Sequence, residues 1–294
     1  MRIVIGVTPD DSGSDALAIG AMLCTSFGAE PVLAHIYPAA YEYVSQGHVD
    51  AEWQRYLREQ AEALVAEAAE EISESHGFEA VATTVHGHRS SGKGLIEVAQ
   101  ATGADVIAIG SAPGASNGRF QIGSTADQLL HGSHVPVAMA PASLRRSAEP
   151  KFSRILAAFQ NTHEAQNAAM EAARMAQRAE LPLQLITVLQ KHRIYGSALG
   201  RSAESAVIEE QTQQTQENQA AVIAKLPAEL DVSARIAVGD TIATALGQLS
   251  FDSNELLVLA SSRGGAVRRV FLGDVTYKLI RSAPVPMVVL PRRT

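Results

Sequence analysis

The reading of this chain turns on residues 105–141, DVIAIGSAPGASNGRFQIGSTADQLLHGSHVPVAMAP. An apolar run, Val106 to Ile109, stops at Gly110, and a loop rich in Gly, Ser and Ala follows. Gly123 leads directly into Ser124, Thr125 and a helix-like segment, and an apolar run behind Pro136 closes the unit. A short apolar run bounded by turn residues reads as a buried strand. Strand, glycine loop, helix start and strand, in that order, turn backbone N–H groups and a helix N-terminus towards one point, where an anion is favoured.

The stretch occurs twice. Residues 252–291, DSNELLVLASSRGGAVRRVFLGDVTYKLIRSAPVPMVVLP, repeat its layout. Working outward, Val7 and Phe159 lie 152 residues apart, as do Gly87 and Gly239. Gly110 and Ala260, Gly123 and Gly273, and Pro136 and Pro286 each lie 150 apart. The first copy therefore holds two extra residues between Gly87 and Gly110. A repeat of this length is a duplicated domain, not a solenoid unit. The expected domains are 1–142 and 152–294, joined by a polar linker from Ser143 to Lys151.

Each copy alternates strands with helices. In the first, strands are expected at Ile3–Val7, Pro31–Ile36 and Val81–Val85, with helices from Ser14 or Asp15 to about Thr25, from Asp50 to His76 and from Gly94 to Thr102. Tyr37 to His48 reads as an irregular loop with aromatic residues. In the second copy, strands at Ile155–Phe159, Gln184–Leu189, Val232–Val238, Glu255–Ala260 and Val285–Leu290 alternate with helices at His163–Glu180, Ser202–Leu226, Thr241–Leu249 and Asp274–Arg281. Such alternation means an α/β fold, here two five-stranded, mainly parallel sheets with helices on both faces. Ligands on such sheets bind beyond the carboxyl ends of the strands. The loops after strands one and four are thus the candidate site.

Composition narrows the partners. A net charge of −7 argues against general nucleic-acid binding and against an anionic membrane surface. No apolar run approaches the roughly 20 residues of a membrane helix. The chain enters a strand at once, so no signal peptide is visible. The single cysteine, Cys24, allows no internal disulfide and fits a reducing compartment, so a cytoplasmic location is expected.

The loop from Gly110 to Thr125 resembles that of the universal stress protein family, in its tandem two-domain form, and the resemblance covers almost the whole chain. Nucleotide-binding members carry Gly, two residues, Gly, nine residues, then Gly-Ser or Gly-Thr. Here Gly110 and Gly123 keep the outer spacing and Ser124 follows, but Pro113 stands at the middle glycine's place and Gly114 one residue later. The resemblance implies two Rossmann-like domains of the adenine nucleotide alpha hydrolase type. It implies a stress-response or regulatory role, with ATP or another adenine nucleotide held by domain one. Gly110, Ser111, Gly114, Gly123, Ser124 and Thr125 are the expected ribose and phosphate contacts, and Val7, Thr8 and Val32 the adenosine side. Mg²⁺ would arrive with the phosphates rather than in a protein cage. Glycine admits a phosphate close to the backbone, and the helix dipole favours its charge.

Two departures weigh against the site. Where nucleotide binders of the family usually carry an Asp after strand one, Thr8 stands in copy one and Gln160 in copy two. Asp10 and Asp11 come too late and read as caps of the turn and helix. Copy two departs further: Ala260 and Arg263 replace the first two glycines, and Asp274 replaces the Ser after Gly273. A carboxylate at a helix start caps it and repels phosphate, although Arg263, Arg268 and Arg269 could offset it. The second copy is expected to be vacant and to complete an intramolecular pseudo-dimer, its strand behind Pro286 pairing with the strand behind Pro136 so that both edges are covered. A homodimer stays open as well.

Three lesser features read as structure. Gly87 to Gly94 is one residue from a phosphate-binding P-loop but lacks the final hydroxyl; it reads as a connection, from which Arg89 or Lys93 could at most reach a phosphate held elsewhere. Five histidines of copy one, His35, His86, His88, His131 and His134, lack the spacing of a metal site. Cys24 reads as a core thiol. Two other function classes remain: a nucleotide-independent interaction protein with degenerate sites, and a slow nucleotide hydrolase or transferase. No residue stands out as a catalytic base, so ATP hydrolysis would be slow.

Overall fold

The structure is a computed structural model that describes residues 1–39, 48–191, 198–260 and 274–291. The first half contributes β1 (Arg2–Gly6), α1 (Asp11–Phe27), β2 (Glu30–Tyr37), α2 (His48–His76), β3 (Ala82–Gly87), α3 (Ser91–Thr102), β4 (Val106–Gly110), α4 (Ser124–Gly132) and β5 (Val137–Ala140). The second repeats the order with β6 (Arg154–Ala158), α5 (His163–Ala179), β7 (Leu183–Gln190), α6 (Ala198–Ile223), β8 (Val232–Gly239), α7 (Ile242–Leu246), β9 (Glu255–Ala260), α8 (Asp274–Ser282) and β10 (Met287–Leu290). The expected elements are all present, with ends that shift by a few residues. The helix expected from Gly94 begins at Ser91, and the one expected over Thr241–Leu249 shrinks to Ile242–Leu246. Part of the Tyr37 to His48 loop, residues 40–47, lies outside the described residues.

The ten strands of the described residues form one sheet in the order β3-β2-β1-β4-β5-β10-β9-β6-β7-β8. Within each half every pair is parallel. The halves join where β5 meets β10 antiparallel, with Met139 opposite Met287, Ala138 opposite Val288 and Val137 opposite Val289. Two edges that would otherwise recruit foreign strands satisfy each other. The pseudo-dimer expected from the duplication is therefore built by main-chain hydrogen bonds inside one chain.

Central strands read as continuous apolar runs because both faces are covered. One face carries α1, α2 and α5, with Leu23, Phe27, Ile72 and Ala176 in its core. The other carries α3, α4, α7 and α8, with Leu95, Leu129, Leu246 and Ile280. The linker departs from its polar reading. Residues Leu144–Arg146 form a 3₁₀ turn, and Leu144 and Phe152 are buried in the same core as α1 and α5.

None of the described helices is long and apolar enough to cross a membrane.

Candidate functional site

At the carboxyl ends of β1, β2 and β4 the first half opens a cleft of about 260 Å³. It lies at the reversal of strand order, because β1 is flanked by β2 on one side and β4 on the other. Of the expected residues, the fold brings Val7, Thr8, Gly110, Gly123, Ser124 and Thr125 to its wall. Asp10, Ser12, His35, Ile36 and Ser91 join them.

Three helices start at this cleft, and their first turns are satisfied differently. The four leading N–H groups of a helix have no partner within it. For α1 the N-cap is Asp10, whose carboxylate accepts from the Gly13 N–H at 3.3 Å and from the Thr8 hydroxyl at 2.6 Å. Both Asp10 and Thr8 are thereby engaged, as the capping reading of Asp10 expects. For α3 the N-cap Ser90 makes no capping bond of its own. Instead Gln128, reaching across from α4, accepts from the Gly92 N–H at 3.1 Å and from the Ser90 hydroxyl. For α4 the N-cap is Gly123, which has no side chain to offer. Its first turn, Ser124 to Ala126, lines the cleft with backbone donors and two hydroxyls.

Gly110 earns its place by close approach. A Cβ there would stand 2.1 Å from the Ser12 carbonyl oxygen, so only glycine lets the start of α1 sit against the end of β4. Gly114 adopts φ +91°, a conformation that side chains rarely take, and shapes the loop's turn without lining the cleft. Ser111 is buried, and its hydroxyl is spent on the loop, accepting from the Gln121 N–H at 2.9 Å. Val32 does not reach the cleft either. It sits in mid-strand opposite Val4 and is buried in the core. The β2 residues at the cleft are His35 and Ile36, further along the strand. His35 is oriented by a 2.8 Å hydrogen bond between Nδ1 and the Val7 carbonyl, so the ring is held against the end of β1 with Nδ1 as donor.

Sequence reasoning did not bring His35, Ile36, Ser12 and Ser91 to the site, and it read Asp10 only as a cap. Strand ends carry no mark in the sequence, and which β2 residue reaches the rim depends on its register with β1. The P-loop-like segment Gly87–Gly94 supplies Ser91 to the wall, whereas Lys93 is exposed and away from it. The histidines divide as side-chain pairs and caps: His86 Nε2 lies 2.7 Å from Glu97, and His131 Nδ1 bonds the Asp127 carbonyl at 2.6 Å. Among the described residues no three His, Cys, Asp or Glu side chains gather as a metal site.

The corresponding cleft of the second half measures about 470 Å³. Phe159, Gln160, Glu164, Phe251 and Leu246 are on its wall, together with Thr276 of α8. It is more apolar and bears the carboxylate of Glu164 where the first cleft has Ser12. The loop 261–273, with Arg263, Arg268, Arg269 and Gly273, lies outside the described residues.

Comparison with known proteins follows the duplication. The sequence model of the Universal stress protein family matches residues 1–141 and again 151–291. Universal stress proteins of Mycobacterium tuberculosis and Mycobacterium bovis are each 31% identical over 293 residues, covering 99% of this chain and 100% of each relative. The crystal structure of a universal stress protein from Archaeoglobus fulgidus superposes with a TM-score of 0.62 at 19% identity, covering 99% of this chain and 98% of that one.

Proposed function

The chain belongs to the universal stress protein family, and we propose that its first domain, 1–142, binds an adenine nucleotide while the second, 152–294, completes the pseudo-dimer. One observation carries the reading. Of the three helix N-termini at the first cleft, α1 is capped by Asp10 and α3 by Gln128, whereas α4 is left with Gly123. Its first-turn N–H groups and the Ser124 and Thr125 hydroxyls form a donor set suited to phosphate. In this reading the α- and β-phosphates lie against Ser124 and Thr125, the ribose near Gly110, and the base beside Val7, His35 and Ile36. Ligand pockets usually span roughly 300–1,000 Å³. A cleft of 260 Å³ fits the nucleoside end, with the polyphosphate extending past α4. ATP supplies Mg²⁺ with its phosphates. The nearest carboxylate, Asp10, is held as a helix cap, so hydrolysis is not the proposed role; regulation through the bound nucleotide is.

A second reading, a nucleotide-independent interaction protein, draws on Pro113 and on the Ser111 hydroxyl being consumed within the loop. One experiment separates the two. The purified protein is denatured and any released nucleotide identified, and the melting temperature is measured with and without ATP. Ser124→Asp places at α4 the carboxylate that copy two carries at Asp274. The folded protein should be no less stable, because an acidic first turn suits the helix dipole, yet the ATP-dependent shift should vanish. No release and no shift in the unaltered protein would remove the nucleotide reading.

A further inference from the structure

Two grooves related by the duplication flank the β5–β10 seam on the face that carries α1 and α5, and among the described residues the chain fills only one of them. Along α1 the linker enters after Pro141 and runs from the helix's N-terminal end towards its C-terminal end. The Ser143 and Arg145 N–H groups donate to the two carboxylate oxygens of Asp15 at 2.7 and 3.0 Å. The Arg145 guanidinium bonds Asp11 at 2.7 Å, Leu144 is buried, and the Phe152 N–H donates to the Ser26 hydroxyl at 3.0 Å.

The twin groove runs along α5 and has a volume of about 820 Å³. Leu23, Phe27, Val106, Met170, Met175 and Leu290 make its apolar lining. Pro291 stands at its rim where Pro141 stands at the filled one. The residues that grip the linker have counterparts here at the repeat distance. Asn167 takes the place of Asp15, and His163 that of Asp11. The Asn167 Nδ2 pairs with His163 Nδ1 at 3.1 Å, which leaves Oδ1 as the acceptor for a passing N–H. Along the groove Glu164 lies near the N-terminal end of α5 and Arg178 near its C-terminal end, with Glu171 and Arg174 between them offsetting each other as an ion pair at 2.7 Å. The linker, ASLRRSAEPKF over residues 142–152, has the complementary order, basic at Arg145 and Arg146 and acidic at Glu149.

We propose that the groove along α5 is a docking site for an extended peptide segment of a partner protein. The segment would carry an apolar anchor next to a basic residue, with an acidic residue following, and would lie as the linker lies along α1. Three features argue for a peptide. The filled groove shows how this surface holds one, the charges at the two ends of the groove match such a segment, and the site continues the established β5–β10 interface. An apolar side chain seated at Leu144's counterpart position would bury against Met170 and Leu23. Its main chain would hydrogen-bond to Asn167.

The test uses the full chain and a fluorescently labelled peptide of residues 142–152, followed by polarisation. Saturable binding with Kd at or below about 1 mM is expected. Asn167→Asp, which rebuilds the twin's acceptor on an exposed position, should tighten binding about threefold, since hydrogen bonds to a charged group are the stronger kind. Met170→Glu should weaken it at least about tenfold with the circular dichroism spectrum unchanged, and a peptide carrying Leu144→Asp should not bind. Failure to saturate at several millimolar, or affinities indifferent to both protein variants, would overturn the proposal. So would self-association of the unaltered chain that Met170→Glu abolishes, which would assign the groove to a second copy.

Discussion

The Arg119 guanidinium, on the loop that leads into the first cleft, donates a 2.9 Å hydrogen bond to the Ser282 carbonyl at the C-terminal end of α8 in the other half. That helix begins beside the second cleft, where Thr276 and Leu279 are on the wall. A cation at a helix C-terminus is favourable, and here it ties one half's loop to the other half's helix. The loop is further pinned by the Gly118 N–H to the Ala142 carbonyl at 2.8 Å and by the Ala142 N–H to the Arg119 carbonyl at 2.9 Å.

Replacing that guanidinium tests its weight. Arg119→Met should lower stability by only about 0.5–1 kcal/mol, the usual scale for a cation at an exposed helix end. It should also loosen the 112–122 loop and thus speed amide exchange of Ala112, whose N–H is held by the Gln121 carbonyl. Exchange rates unchanged in the variant would show that the cross-domain bond does not hold the loop.

The seam predicts coupling between two methionines. Met139 and Met287 face each other across β5 and β10, and both are fully buried. Either one changed to Ala should cost about 2–5 kcal/mol. Because the two touch one shared interior, the double variant should differ from the sum by about 0.5–3 kcal/mol. Strict additivity in urea titrations would mean that the halves unfold independently of their joint.

Stability should respond to pH through Glu255. Its side chain is 3% exposed, and Arg154 lies 3.4 Å away. Burial raises the carboxyl above its usual range, more than the Asp252 N–H and Arg154 lower it. A raised folded value means that the protonated form suits the fold. The contribution is therefore fully present below the unfolded carboxyl range and is lost as the pH rises through the folded value. The melting temperature of Glu255→Gln, minus that of the unaltered protein, should become more positive from pH 4 to pH 7. A flat or falling difference would contradict the burial argument.

The thiol of Cys24 should be silent. Burial in the core under α1 pushes its pKa up to about 12, so almost no thiolate exists at neutral pH. A thiol reagent at pH 8 should label the native chain at the rate of global opening and the urea-unfolded chain within minutes. Fast labelling of the native chain would mean that α1 opens locally.

Much of the architecture was legible because it rests on local signals. Apolar runs of four to six residues, helices between them and the fixed distances from Val7 to Phe159 and from Gly123 to Gly273 were enough to set two parallel five-stranded units. Chain connectivity then leaves few ways to wind them. The loop's ends, Gly110 and Gly123 with Ser124, were also readable, since close backbone approach and a bare helix start need those residue types wherever they lie. The tertiary structure alone decided the rest. Strand register put His35 and Ile36, not Val32, at the rim, and packing of the loop consumed the Ser111 hydroxyl. Gln128 capped α3 from another helix, so that of the three helix starts at the cleft only that of α4, behind Gly123, has no side-chain cap. Leu144 looked like one apolar residue in a polar run, and it is buried because pairing of β5 with β10 creates, between α1 and α5, a groove that no stretch of sequence contains by itself.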